Sequence, residues 1–259
     1  MKTLAREKIK STLLGCVGII LVLLVWLFAF QHQKAGVYLI PSPISTFQKL
    51  GGLFASVVFY QDVAETLLRM LSGFFLATLF GIVLGLLLGN FPTIRKMFNG
   101  IIDFLRSIPV TALYPIFILT SGIGSESKIA MIFYASFFII CINTMYGVMH
   151  TNPVRRKMAQ LYGANWYQVF TQVTFFDSLP YAMVGLRIAI SYALIVAILT
   201  EFFMGSSFGL GQRITETYNL YQIDAMYAYI IIVGLLGYSL NFIFNKIEKA
   251  VVGWKFNAD

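Results

Sequence analysis

The chain has 259 residues, 58% of them hydrophobic and only 12% charged, with a mean hydropathy of +0.78. A water-soluble domain carries about 25% charged residues, so this composition excludes a soluble globular fold and makes the bilayer the solvent. The net charge is +8, but the cations fall in short clusters between apolar runs, which excludes a single basic face for nucleic acid and follows the positive-inside rule.

Taken in order, the apolar runs predict an all-α chain with six membrane spans, each needing roughly 20 mainly apolar residues. Residues 1–10 form a short tail holding Lys2, Arg6, Lys8 and Lys10, and the first run follows at Ser11–Phe30. It exceeds the apolar core of about 7–15 residues of a signal peptide and is read as a retained helix. A loop over 31–62 carries Pro41-Ser42-Pro43, which favours extended backbone. The core over 63–250 then holds spans at about Val63–Leu88, Ile101–Leu119, Ile129–Met149, Tyr181–Met204 and Ala225–Phe244, with a tail at 251–259.

Charge assigns the sides. With the N-terminus inside, the inner segments carry the four tail cations, Arg95 and Lys96, Arg155 to Lys157, and Lys246, Lys249 and Lys255. The outer segments carry only Lys34, Lys49, Lys128 and Arg213. Both termini are therefore expected in the cytoplasm and the 31–62 loop outside.

Within the spans, Gly81, Gly85 and Gly89 make a small-residue ridge for close helix packing. Pro109 and Pro115 interrupt the third span; the break is either kinked packing or a bend lining a route across the membrane. Glu65 and Arg69 stand four apart and can pair on one helix face. Asp103 and Arg106 are expected near the inner end of the third span, Arg187 near the inner end of the fifth and Glu201 near its outer end. A charge at mid-bilayer costs roughly 2.5–3.5 kcal/mol, so each must face a partner, a cavity or the interface.

No catalytic set emerges. Cys16 and Cys141 lie in apolar runs without a CxxC or Cys/His cluster, and His32 and His150 have no motif around them, so no metal or cofactor site is expected. There is no GxxxxGK[ST] phosphate loop, and Gly209-Leu210-Gly211 lacks the third glycine of a dinucleotide fingerprint. Energy for transport would come from another chain or from a gradient.

The segment 152–180 reads NPVRRKMAQLYGANWYQVFTQVTFFDSLP. Pro153 can open a helix, with Met158, Leu161 and Tyr162 on an apolar stripe, and Gly163 ends it. A second short helix over Ala164–Val173 would carry Trp166, Val169, Phe170 and Val173 at spacings of three or four. Such a helix lies on the membrane surface or inserts into a groove of a partner protein.

The spacing Ala159-x-x-x-Gly163-Ala164, with Val173, Leu179-Pro180 and Gly185-Leu186-Arg187-Ile188-Ala189, resembles the cytoplasmic "EAA" loop of ABC-importer permeases. Five further stretches agree: Leu39-Ile40-Pro41-Ser42-Pro43, Leu68 to Phe74, Phe104 to Pro109, Gly122-Ile123-Gly124, and Glu201 to Gly211. The chain is thereby similar, from about Leu39 to its C-terminus, to type I importer permeases of the sulfonate, taurine, nitrate, bicarbonate and thiamine-precursor branch. Two positions depart from the pattern. Lys157 stands where the loop's glutamate is usual, and Phe176 where a proline is usual, leaving reduced coupling or a specialised ATPase as the alternatives.

The resemblance implies a permease subunit in a prokaryotic inner membrane. It would pair with a second permease copy as a homodimer, with two ATP-binding subunits that hold ATP and Mg, and with an external solute-binding protein. Lys157, Ala159, Gly163, Ala164, Trp166, Val169, Phe170 and Val173 would couple to the ATPase, and Arg69, Arg106, Pro109, Arg187 and Glu201 are candidates for the pathway or its gating. The cargo would be a small organic anion such as a sulfonate, an inorganic anion or a vitamin-precursor ring. A gradient-driven transporter and a membrane-embedded lipid-modifying enzyme are the alternatives.

Overall fold

The computed structural model describes the backbone of residues 2–33 and 39–256, and the side chains of 14, 17–33 and 39–253. The side chains of Lys2, Arg6, Lys8, Lys10, Cys16, Lys34 and Lys255, and residues 257–259 of the expected tail, lie outside the described residues. Every regular element among the described residues is helical. In order they are α1 (Lys2–Gln31), α2 (Pro43–Leu53), α3 (Val57–Asn90), α4 (Pro92–Ser107), a 3₁₀ turn (Val110–Leu113), α5 (Tyr114–Ser121) and α6 (Ser125–Met149). Then follow α7 (Pro153–Leu161), α8 (Trp166–Val169), a π turn (Phe170–Thr174), α9 (Phe175–Met204), α10 (Leu210–Asn219) and α11 (Ile223–Phe256).

Four helical stretches are long and apolar enough to cross a membrane: α3, α6, the run Trp166–Met204, and Ile223–Gly253. The pair α4–α5 makes a fifth if it counts as one span. The first expected span falls on α1, whose described apolar stretch is Val17–Gln31. The third expected span is not one rod, because α4 and the helix after it meet at 88°. Pro109 causes the break. Its ring excludes a helical conformation for the preceding residue, and Ile108 is extended at ψ 120°. Pro115 breaks nothing, for it sits in the first turn of α5, where a missing N–H costs little.

The chain divides into two compact units, Met1–Tyr60 with Arg213–Ile232, and Gln61–Gln212 with Val233–Asp259. In the first, the Trp26 indole donates to the Pro41 carbonyl at 3.1 Å and its ring stacks on Tyr227. The Pro41-Ser42-Pro43 segment does more than extend the chain. Ser42 is extended at ψ 136° and caps α2 by accepting from Ile44 N, with Pro43 in the first turn, so a helix stands where the sequence suggested only a loop.

The second unit is built around α6, which lies parallel to α3 and antiparallel to α9. Its buried row Ile132, Ser136, Ile140, Thr144 and Val148 repeats every four residues, and so does the α3 row Gly73, Ala77, Gly81, Gly85 and Gly89. A Cβ on Gly73 would stand 2.7 Å from Ile132 Cβ, and one on Gly89 would stand 2.5 Å from Val148 Cβ. The ridge read from three glycines is therefore five residues long, and it sets the backbone approach. On the other side of α6, Gly147 meets Ser178 and Tyr181, and Gly185 of α9 meets Asn143.

Candidate functional site

Three places gather the residues singled out by the sequence. The first is the elbow between α6 and α9. Asn152 caps α7 by accepting from Val154 N, with Pro153 following. At the other end Gly163 takes φ +86°, its N–H donates to Gln160 O, and Ala164 N–H donates to Ala159 O at 3.0 Å. This is a Schellman cap, and its left-handed position is the physical reason for a glycine at 163. Asn165 and Gln168 then form a reciprocal capping box for α8.

The second short helix expected over Ala164–Val173 is not a separate element. From Trp166 the chain runs through the π turn into α9, making 39 helical residues to Met204. Pro180 lies inside this rod. The expected apolar stripe also divides. Val169 is buried within the chain and Phe170 and Val173 are half-buried, whereas Trp166 is 60% exposed. Trp166 stacks face-on against Phe170 at 5.7 Å and lies 6.0 Å from Phe91. Beside it Leu161 and Tyr162 are 86% and 85% exposed.

The cations of α7 serve different ends. Arg155 pairs with Asp177 at 2.7 Å, and Arg156 donates to the Val148 carbonyl at 3.0 Å. Burial lowers the Arg156 guanidinium below its ordinary pKa, with the Asp177 carboxylate acting in the opposite sense. Lys157 is exposed and has no ion-pair partner among the described residues.

The second place is a polar knot joining α3 to the turn after α9. Glu201 is fully buried and accepts from Arg69 Nη1 at 2.8 Å, from the Thr66 hydroxyl at 2.9 Å and from Gly211 N–H at 3.0 Å. Thr66 accepts in turn from Leu210 N–H, and buried Asp62 accepts from Gly209 N–H. Arg69 also reaches Glu65 at 2.9 Å, Ser125 Oγ and the Phe208 carbonyl. Lys128 donates to Gly205 O at 2.6 Å. The glycines are sterically required. A Cβ on Gly209 would stand 2.5 Å from Glu201 Cδ, and one on Gly211 would stand 2.4 Å from Ile198 O.

The sequence placed Glu65 with Arg69 but joined neither to Glu201, which lies more than 130 residues away. Asp62 and Thr66 carried no signal of their own, and Lys128 counted only as an outer-side cation. A fixed i, i+4 run of Asp62, Thr66 and Met70 beside Arg69 was the available signal, because it aims two polar groups along one face of an otherwise apolar span.

The third place is a cleft of about 440 Å³ at the α4–α5 bend, lined by Arg106 to Val110, by Tyr134 to Asn143 on one face of α6, and by Ile188 and Tyr192 of α9. Arg106 and Pro109 meet there; Arg187 does not join them. It pairs instead with Glu248 at 3.3 Å and donates to Asn245 of α11. Arg106 pairs with Asp103 at 2.9 Å. Tyr134 donates to the Leu105 carbonyl at 2.6 Å. That bond pins the end of α4 nine residues into α6, about 14 Å along it.

A small-residue helix core and a capped elbow leading into a long rod are the architecture of an ABC-importer permease. Residues 77–253 match the binding-protein-dependent transport system inner membrane component family, and the chain belongs to that family. It is 28% identical to the taurine transport system permease protein TauC of Escherichia coli, over 92% of this chain and 88% of that one. It is 31% identical to the formylaminopyrimidine transport permease protein ThiX of Halalkalibacterium halodurans, over 84% and 86%. A chain of the MetNI methionine ABC transporter superposes with a TM-score of 0.66 at 20% identity, covering 75% of this chain and 96% of that one, a likeness of fold. The family replaces the gradient-driven and lipid-modifying alternatives.

Proposed function

We propose that this permease spans the inner membrane of a prokaryote six times with both termini in the cytoplasm, and that it works as one of two copies. Residues 31–62 then lie outside, 63–250 form the transport core, and 152–180 face the cytoplasm between the tails at 1–10 and 251–259. Two ATP-binding subunits, carrying ATP and Mg, dock on α7 and α8, and an external binding protein delivers cargo. The cargo belongs with that of the relatives, a small sulfonate or other anion, or a vitamin-precursor ring.

The observation carrying this reading is the outward apolar surface of Met158, Leu161, Tyr162 and Trp166 on a segment fastened from behind by Arg155 and Arg156. An apolar patch held rigidly in water needs a protein to cover it, and a short helix seated in a groove is an economical cover. Lys157 beside it suits an acidic wall in that groove. Arg69, Glu201 and the knot fix the outer end of the core, and Arg187 braces α9 on α11; they support gating, whereas Arg106 and Pro109 line the route.

The test is Leu161→Glu with Tyr162→Glu, purified with the ATPase encoded beside it and assayed for ATP-driven uptake in proteoliposomes. Both side chains are nearly free of contacts within the chain, so the variant should fold, lose its ATPase on purification and lose uptake. Unchanged co-purification and uptake would refute docking at this surface.

A further inference from the structure

We infer that the cleft at the α4–α5 bend is a water-filled station for small organic anions, with Arg106 as the anion contact; this rests on the transport role proposed above. Asp103 and Arg106 are 63% and 53% exposed along their side chains, and the Tyr134 bond to Leu105 ties their stretch of α4 to the flank of α6, one of the helices long and apolar enough to cross a membrane. An ion pair exposed to lipid beside such a helix is strongly disfavoured. The surface bearing it must therefore face water or protein. The exposed residues Lys96, Asn99, Asp103 and Arg106 follow one another at spacings of three or four, which makes a polar stripe along α4.

The chemistry of the cleft is specific. Arg106 lines it and Asp103 does not. Asp103 binds Arg106 at Nε, leaving the two terminal nitrogens of the guanidinium without partners among the described residues. That planar fork matches the paired oxygens of a sulfonate or carboxylate. The Asn143 amide nitrogen is committed to the Ile139 carbonyl, so its oxygen remains to accept from an amine or alcohol. The walls from Pro109, Phe138, Ile142 and Ile188 are apolar. A volume of about 440 Å³ suits a small guest with one charged end and a short apolar or flat body.

The test uses Ser107→Cys, a residue lining the cleft beside Arg106, in a chain with Cys16→Ala and Cys141→Ala. Membranes are treated with methanethiosulfonate reagents bearing a sulfonate or a trimethylammonium group, with rates normalised to a free thiol. The sulfonate reagent should react about ten-fold faster, ethanesulfonate should slow it, and Arg106→Gln should abolish both effects. Arg106→Lys should keep the charge preference but lose most of the ethanesulfonate protection. No labelling, or a preference indifferent to Arg106→Gln, overturns the inference. Labelling needs no ATPase, so charge-dependent labelling with failed uptake faults the docking proposal, whereas charge-independent labelling with intact uptake faults the anion station.

Discussion

Replacing Glu201 should unfasten the knot and cost more stability than any other single polar change in the second unit. The Arg69 side chain is 8% exposed. In Glu201→Ala it keeps only Glu65, itself 40% exposed, as a counter-charge, while Thr66 and Gly211 N–H lose their acceptor. Removing one partner of a buried ion pair costs about 3–5 kcal/mol. At roughly 2–4 °C per kcal/mol for a chain of this size, the melting temperature should fall by on the order of 10 °C. Thermal unfolding in detergent can be followed by a thiol-reactive dye in a Cys16→Ala background, since Cys141 is fully buried and reacts only once the core opens. Removing both charges, in Arg69→Met with Glu201→Met, leaves no lone buried ion and should recover a large part of the loss. A single variant within about 2 °C of the parent, or a double variant equal to the sum of the singles, would refute the reasoning.

Two other outcomes follow from the geometry. Gly89→Val places branched carbons where Val148 Cβ already stands and should destabilise by about 1–3 kcal/mol, whereas Gly52→Ala, with open space around it, should be neutral or stabilising in the same melting assay. Asn165→Ala removes the capping box at about 1 kcal/mol, and should speed hydrogen exchange at the Trp166 to Val169 amides while leaving α7 protected.

The parts of this fold that a sequence displays are those set by neighbours along the chain. The apolar runs of α3, α6 and α11 mark themselves, the four-residue glycine spacing announces a packing face, and Asn152-Pro153 with Gly163 punctuates α7. Misreadings arose where a local signal has two physical meanings. Proline appears as a break at Pro109, as a helix start at Pro43 and Pro115, and inside a continuous rod at Pro180, and only the surrounding backbone separates these. The knot was illegible for another reason. Glu201 finds Thr66 and Arg69 across more than 130 residues, and nothing in either stretch alone names the other. The seating of the end of α4 on α6 was hidden similarly, since it depends on a hydrogen bond between Tyr134 and the Leu105 carbonyl on another helix.

The unbroken run from Trp166 to Met204 gives this protein a stiff strut about 58 Å long, nearly twice the thickness of the hydrocarbon layer it crosses. Glu201 rides on its far end. A push or twist applied to the indole of Trp166 is felt at that carboxylate without passing through any loop, unless the strut yields along its length. The five residues of the π turn and the missing amide hydrogen at Pro180 are the two places where it can, both close to the end that would be pushed.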